Sequence, residues 1–156
     1  MKSKISIVLS GLLIIMTGFV ANATSFSENP AGTVCLTDPA ELIINLTSDV
    51  TASPQSSLMA LHFAEKALEN GLKVTIFMNV MGVKLASKDA ASIEFNGENL
   101  HGIIKSIIAK GGNVVACPMC MKIQGISEND LADGINVSSP GMMMQKLQES
   151  PTVFTY

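Results

Sequence analysis

Two cysteines at C-x-x-C spacing, Cys117 and Cys120, are the residues of this chain best suited to direct chemistry. They lie in "NVVACPMCMKIQG" (113–125), where a β-like run leads into the first cysteine and a proline follows it. Because a cysteine thiolate is both a nucleophile and a metal ligand, the pair fits four roles. These are a metal clamp, a redox couple, a sulfur carrier, or inert packing at the end of a strand.

The position of Pro118 favours a reactive Cys117. A proline is well accommodated at the first position of a helix, which would make Cys117 the N-cap and place Cys120 in the first turn. Unpaired backbone N–H groups and the helix dipole at such a terminus stabilise a thiolate. The alternative, in which Cys117 is only a small apolar residue that closes a strand, remains open.

The remaining ligand types argue against zinc and leave a softer metal possible. A structural zinc site needs four ligands, yet only Cys35, His62 and His101 remain, and they are scattered along the chain. Thiolates and thioethers suit Cu(I), although methionine is also ordinary core filler. Such a copper site would draw on Cys117, Met119, Cys120, Met121, Met142, Met143 and Met144.

The N-terminus indicates where these thiols are located. Lys2 and Lys4 precede the apolar run "ISIVLSGLLIIMTGFVA", which ends in "ANA" at residues 21–23. This pattern predicts a signal peptide over residues 1–23, with an uncleaved membrane anchor as the alternative. We therefore expect a periplasmic protein without a membrane segment after cleavage. A flexible leader over residues 24–40 would follow, with Cys35 as a bystander or an intermolecular partner.

Composition excludes several classes of function. The formal net charge is −3, and removal of Lys2 and Lys4 makes it −5. The chain has no arginine, so the basic patch of a nucleic-acid-binding protein is missing. It also has no phosphate-binding loop and no G-x-S-x-G motif. We expect no cofactor.

The rest of the chain alternates between strands and helices, which predicts a single α/β domain over residues 41–156 around a mainly parallel sheet. In such a sheet, sites gather at the carboxyl ends of the strands, where Cys117 is expected. A thioredoxin-type protein carries its C-x-x-C after the first strand, whereas this pair follows the third. The predicted strands cover residues 41–47, 72–78, 113–117, 135–138 and 152–156, and the longer helices begin near Pro54, Leu100 and Gly141.

These residues resemble the DsrE/DsrF-like family of sulfur-relay proteins, and in particular an exported, CPxC-bearing subgroup. The resemblance covers about residues 40–156 and is strongest in "VVACPMCMKIQGISENDLADGINVSS", with support from "FMNVMGVKL". It implies a three-layer α/β/α domain with a mostly parallel five-stranded sheet, commonly in homo-oligomers. It also implies a persulfide on Cys117, eight residues before Gly125, with Cys120 as the companion cysteine.

Our leading hypothesis is therefore an exported sulfur-handling protein, a persulfide carrier or a thiol/disulfide-active protein. Its partners would be a sulfur donor or acceptor protein, or a small sulfane-sulfur compound. We expect the loops at residues 47–49 and 79–82 to frame the pocket. Asp49 is a candidate polar neighbour, although a solvated loop or capping role is expected more strongly. Cu(I) binding and a non-catalytic interaction domain are the alternatives.

Overall fold

The computed structural model describes residues 40–156. The predicted signal peptide (1–23), nearly all of the predicted leader and Cys35 lie outside these residues. The described chain contains a five-stranded sheet in the order β6-β5-β2-β1-β7, in which every pairing is parallel. Its strands are β1 (Glu41–Leu46), β2 (Lys73–Met78), β5 (Asn113–Ala116), β6 (Asn136–Val137) and β7 (Thr152–Thr155).

Four helices connect these strands within the described residues. They are α1 (Pro54–Glu69), α2 (Leu100–Ala109), α3 (Pro118–Gln124) and α4 (Pro140–Gln148). None of them is long and apolar enough to cross a membrane. The strand–helix alternation predicted from the sequence is thus confirmed, because short strands with near-continuous apolar character belong in a sheet buried on both faces.

The two faces of the sheet carry unequal cores. On one face, alternate strand residues pack with α1 and α2 into the large core, in which Ile44, Leu46, Ile76 and Met78 are fully buried. On the opposite face, Ile43 and Val115 pack with Met143 of α4, and Phe77 and Met142 are the partly buried residues of the described chain that extend this small cluster. The sheet therefore lies between two helical layers, of which the α4 layer is much thinner.

The stretch between β2 and α2 could not be predicted in detail from its mixed residue pattern. It forms two 3₁₀ helices, Gly82–Ala86 and Lys88–Ser92, followed by a small antiparallel hairpin of β3 (Glu94–Phe95) and β4 (Glu98–Asn99). Asn96 and Gly97 turn this hairpin with positive φ values of 54° and 78°. Asn99 then caps α2, since its Oδ1 accepts the N–H of Gly102 at 2.8 Å.

Candidate functional site

Strand β5 carries Cys117 to the carboxyl edge of the sheet. β5 lies between β2 and β6, and its Val114, Val115 and Ala116 are buried. The Cys117 N–H donates to the Met78 carbonyl at 2.9 Å, which extends the parallel ladder one residue beyond the strand. The backbone of Cys117 is therefore held as firmly as that of the strand itself.

The short helix α3 fixes the second cysteine relative to the first. Cys117 is the N-cap with extended backbone (φ −72°, ψ 117°), and Pro118 opens the helix as predicted. The helix ends at Gly125, whose φ of 70° lies in the left-handed region that favours glycine. Met121 is buried in the large core and anchors the helix from beneath. Cys120 consequently lies in the first turn of α3, where its side chain reaches the loop that carries Val80.

A strained loop supplies a hydrogen-bond donor to Cys120. The N–H of Val80 donates to Cys120 Sγ at 3.1 Å. Val80 has a φ of 48°, which is an outlier for a β-branched residue, and such strain persists where the surrounding structure enforces it. Residues 79–82, expected to frame the pocket, thus reach the pair through a backbone contact that side-chain pattern alone does not reveal.

Burial raises the pKa of the Cys120 thiol, and its hydrogen bond with Cys117 raises that pKa further. The Val80 N–H acts in the opposite direction, because a donor favours the thiolate, but it does not reverse the shift. The surroundings of Cys120 therefore favour its protonated form. The two cysteines are chemically distinct although their spacing alone treats them alike.

Cys117 also differs from Cys120 in what it contacts. Cys120 packs against the large core, whereas Cys117 lines an open cavity of about 610 Å³ between the sheet and α4. Most of that lining is aliphatic, aromatic or thioether. It comprises Ile43, Asn45, Phe77, Pro118, Met119, Ser138, Ser139, Pro140, Met143, Met144, Leu147 and Val153.

A row of amide and hydroxyl groups runs along the same edge of the sheet. Asn79 Nδ2 donates to Asn45 Oδ1 at 2.7 Å, and Asn45 Nδ2 donates to Thr155 Oγ1 at 3.2 Å. The Asn79 Oδ1 atom is buried and has no hydrogen-bond partner among the described residues. We did not predict this row, although an asparagine inside the apolar run "LIINL" was a visible signal.

The loop at residues 47–49 has a structural role. Thr47 and Ser48 donate their N–H groups to the Tyr156 carbonyl at 2.8 and 3.2 Å. Asp49 accepts from Lys84 Nζ at 2.8 Å and from Thr51, and these hydrogen bonds hold the pKa of its carboxyl far below its usual range. Asp49 does not line the cavity beside Cys117. Asp49 therefore has a structural role in this loop through its ion pair with Lys84, and it does not cap a helix, since Ser53 is the N-cap of α1.

The methionines divide between the two sides of α3. Met121, one of the possible copper ligands, is buried in the large core and points away from the cavity. Met119, Met143 and Met144 line the cavity together with Cys117. The structure therefore assembles a smaller soft-ligand group than the sequence offered.

Neither histidine joins the cysteine pair. His62 in α1 contacts Glu98 through Nε2 at 3.1 Å. His101 in α2 is buried against the Leu85 carbonyl at 2.9 Å, and this burial lowers its pKa. Among residues 40–156, no group of three histidine, cysteine or acidic residues could hold a metal ion.

Comparison with known proteins agrees with this architecture. The model of the DsrE/DsrF-like family matches residues 42–156. An uncharacterised protein of Methanocaldococcus jannaschii is 30% identical over 116 residues, which cover 72% of this chain and 100% of that protein. One from Methanopyrus kandleri is 28% identical over 116 residues, covering 74% and 94%.

Two solved structures are similar in fold. The YchN protein of Escherichia coli has a TM-score of 0.61 at 19% identity, over 76% of this chain and 100% of that one. A protein of unknown function from Methanobacterium thermoautotrophicum also has a TM-score of 0.61, at 15% identity over 76% and 100%. At these identities the likeness shows the shared α/β fold.

Proposed function

The chain belongs to the DsrE/DsrF-like family, which generally acts in sulfur relay, and we propose that it handles sulfane sulfur through Cys117. One observation carries this proposal. Cys117 faces an open cavity, whereas its partner Cys120 is packed against the core and retains its proton. A nucleophile that lines an open cavity, with a second thiol packed behind it, is the arrangement that sulfur transfer and its resolution need.

In the first step, the Cys117 thiolate attacks the sulfane sulfur of a donor R–S–SH. A Cys117–sulfur bond forms, the donor S–S bond breaks, and R–S⁻ leaves with its electron pair. Cys117 becomes a persulfide and the donor becomes a thiol. The donor is a protein persulfide or a small sulfane-sulfur compound, and the terminal sulfur of Cys117 passes to an acceptor by the same exchange.

Cys120 offers a second outcome for the same intermediate. Its thiolate attacks Cys117 Sγ, a Cys117–Cys120 disulfide forms, and hydrosulfide leaves. Both cysteines are oxidised and the sulfane sulfur is reduced to sulfide. A dithiol reductant then regenerates the pair. The raised pKa of Cys120 lowers the fraction of its thiolate that is available for this resolution.

We further propose that this chemistry takes place in the periplasm, which the N-terminal pattern supports. The resemblance to relay proteins also supports a homo-oligomer and a separate donor or acceptor protein. An exported relay needs a source of reductant outside the cytoplasm, because exported thiols meet an oxidising compartment.

Mass spectrometry of the purified protein after treatment with inorganic polysulfide tests the proposal. We expect an added sulfur of about 32 Da on Cys117, absent in Cys117→Ser and retained in the matched control Cys35→Ser. Treatment with dithiothreitol should remove it. An unmodified Cys117 in the wild-type protein would refute the relay role.

A second candidate is a soft-metal module, because Met119, Met143 and Met144 line one cavity with Cys117. Anaerobic Cu(I) titration against a competing chelator tests it. Tight stoichiometric binding that survives Cys117→Ser but is lost when the three methionines become leucine would favour metal. Met→Leu changes preserve volume, so such a loss would report ligation and not unfolding.

A further inference from the structure

We propose that the cavity beside Cys117 binds the apolar chain of an uncharged organosulfur donor. The substrate class of the site would then be dialkyl polysulfanes, in preference to small anions such as thiosulfate. This inference rests on the proposed role of Cys117 and specifies what that residue reacts with. We call the cavity the α4 groove, and its apolar lining consists of Ile43, Phe77, Met119, Met143, Met144 and Leu147.

The α4 groove has a buried floor and an exposed apolar rim. Ile43 and Met143 form the floor and are 2% and 9% exposed. Met119 and Met144 on the rim are 66% and 57% exposed, and Leu147 is 45% exposed. Large apolar side chains that remain this accessible around one depression mark a binding site more often than a chance surface. Methionine also adapts to ligands of different shape.

The size of the groove suits a small ligand. Its volume of about 610 Å³ falls within the range of typical ligand pockets, roughly 300–1,000 Å³. Cys117 lies on its wall, so a chain that fills the groove brings its own sulfur to the nucleophile. Each methylene that leaves water for such a site improves affinity by about fourfold.

The charge of the groove selects against anionic donors. None of the residues that line it is charged. Lys146, the cation of α4, is paired with Glu41 and is not free to receive a ligand. An anion would lose its hydration here without gaining an ion pair, which is unfavourable. A neutral dialkyl polysulfane loses little, and Asn45 and Ser138 line the same cavity as Cys117 and offer it polar groups.

A series of alkyl methanethiosulfonates on the full chain tests this inference. The Cys117 thiolate forms a disulfide with the alkylthio sulfur, the S–S bond to the sulfonyl group breaks, and methanesulfinate leaves. A Cys35→Ser/Cys120→Ser variant leaves Cys117 as its single thiol. We expect the rate constant to rise at least tenfold from the methyl to the octyl reagent. The anionic 2-sulfonatoethyl reagent should react more slowly than the ethyl one.

Free cysteine is the reagent control. The rate constant of Cys117 with each reagent is divided by the rate constant of free cysteine with the same reagent. A ratio that does not change with chain length would overturn the inference. A ratio that falls with chain length would overturn it as well, because it would mean that the groove is closed or covered by a second copy. Sedimentation velocity on the same sample identifies that second case.

Paired variants locate the effect in the groove. In Met144→Gln/Leu147→Gln, this ratio should become nearly the same for the octyl and the methyl reagent. Met59→Gln, a change at a 44% exposed methionine of α1, should leave the ratio unchanged. An unchanged ratio in the groove variant would also overturn the proposal. Persulfide formation with inorganic polysulfide needs no apolar chain, so the relay role and the groove can fail independently.

Discussion

The two sulfur atoms of the CPMC motif have different surroundings, and we propose different tasks for them on that ground. Cys117 ends a buried strand and faces the α4 groove. Cys120 packs against the core, accepts the Val80 N–H and interacts with Cys117. A nucleophile must be accessible to its substrate, whereas a resolving thiol must lie close to the nucleophile and be less reactive than it. The pair meets both needs with a single turn of helix.

Replacing the resolving thiol should lengthen the life of the persulfide. In Cys120→Ser treated with polysulfide, we expect the Cys117 persulfide to accumulate and sulfide release to fall at least tenfold, because no internal thiol can displace hydrosulfide. Methylene-blue assay of sulfide with parallel mass spectrometry measures both. Sulfide release at the wild-type rate would show that Cys120 is not the resolving group.

The raised pKa of Cys120 also predicts a pH dependence of stability. A thiol whose pKa is higher in the folded state stabilises that state fully below the unfolded value of about 8.5. This contribution is lost as the pH rises through the folded value. We therefore expect the reduced wild-type protein to lose more stability than Cys120→Ser between pH 8 and pH 10. Urea unfolding under reducing conditions measures the difference, and parallel curves would contradict it.

At the scale of elements, two glycines hold the site in shape for different reasons. Gly125 ends α3 with a left-handed φ of 70°, and a Cβ there would meet nothing within 4 Å. A Cβ on Gly82 would lie 2.2 Å from the Leu46 carbonyl oxygen. The first glycine is required by backbone conformation and the second by close approach of the loop that carries Val80.

Gly125→Ala tests the conformational requirement in isolation. Because no atom is displaced, we expect a loss of about 1–2 kcal/mol in the free energy of unfolding from the left-handed backbone alone. Gly141→Ala in α4 is the matched control, since its Cβ also meets nothing and its φ is ordinary. That change should be neutral or stabilising by up to about 1 kcal/mol. Equal effects of the two changes would contradict this explanation.

Gly82→Ala should act on the chemistry as well as on stability. The new Cβ forces the loop away from β1, and the Val80 N–H moves with it, away from Cys120 Sγ. We expect destabilisation by at least about 2 kcal/mol, as for other overpacked sites, and slower alkylation of Cys120 by iodoacetamide, because Cys120 loses a donor that favours its thiolate. Urea unfolding and site-resolved mass spectrometry measure the two effects. Unchanged labelling of Cys120 would show that the position of this loop does not affect the reactivity of the cysteine.

Much of this element framework was predictable from the sequence, and the reason is local. Pro118 and Gly125 bound α3 by their own backbone preferences, and apolar runs indicated β1, β2 and β5. The Val80 contact was not predictable, because it joins residues 40 positions apart through a backbone N–H. Ser53 is the N-cap of α1, directly before Pro54 as the predicted helix start requires, but it makes no side-chain cap, since its ψ of 59° departs from extended geometry.

At the scale of the whole molecule, the sheet is stabilised unevenly. The large core joins α1 and α2 to the central strands, whereas α4 contributes one buried residue, Met143. All four residues of β7 are exposed, and this strand pairs only with β1 among the described residues. The α4 groove therefore lies in the layer with the least apolar burial, which suits a site that must adjust to its ligand.

Hydrogen exchange should reveal this asymmetry. Elements with little apolar burial open locally at lower free energy than the global transition. We expect amides of α4 and β7 to exchange at least tenfold faster than those of β1 and β2, with opening free energies at least about 1.4 kcal/mol smaller. An octylthio adduct on Cys117 should slow exchange in α4 but not in α2, because the chain adds apolar contacts in the groove alone. Equal protection across the sheet would contradict the uneven core, and slowing in α2 would place the octyl chain elsewhere.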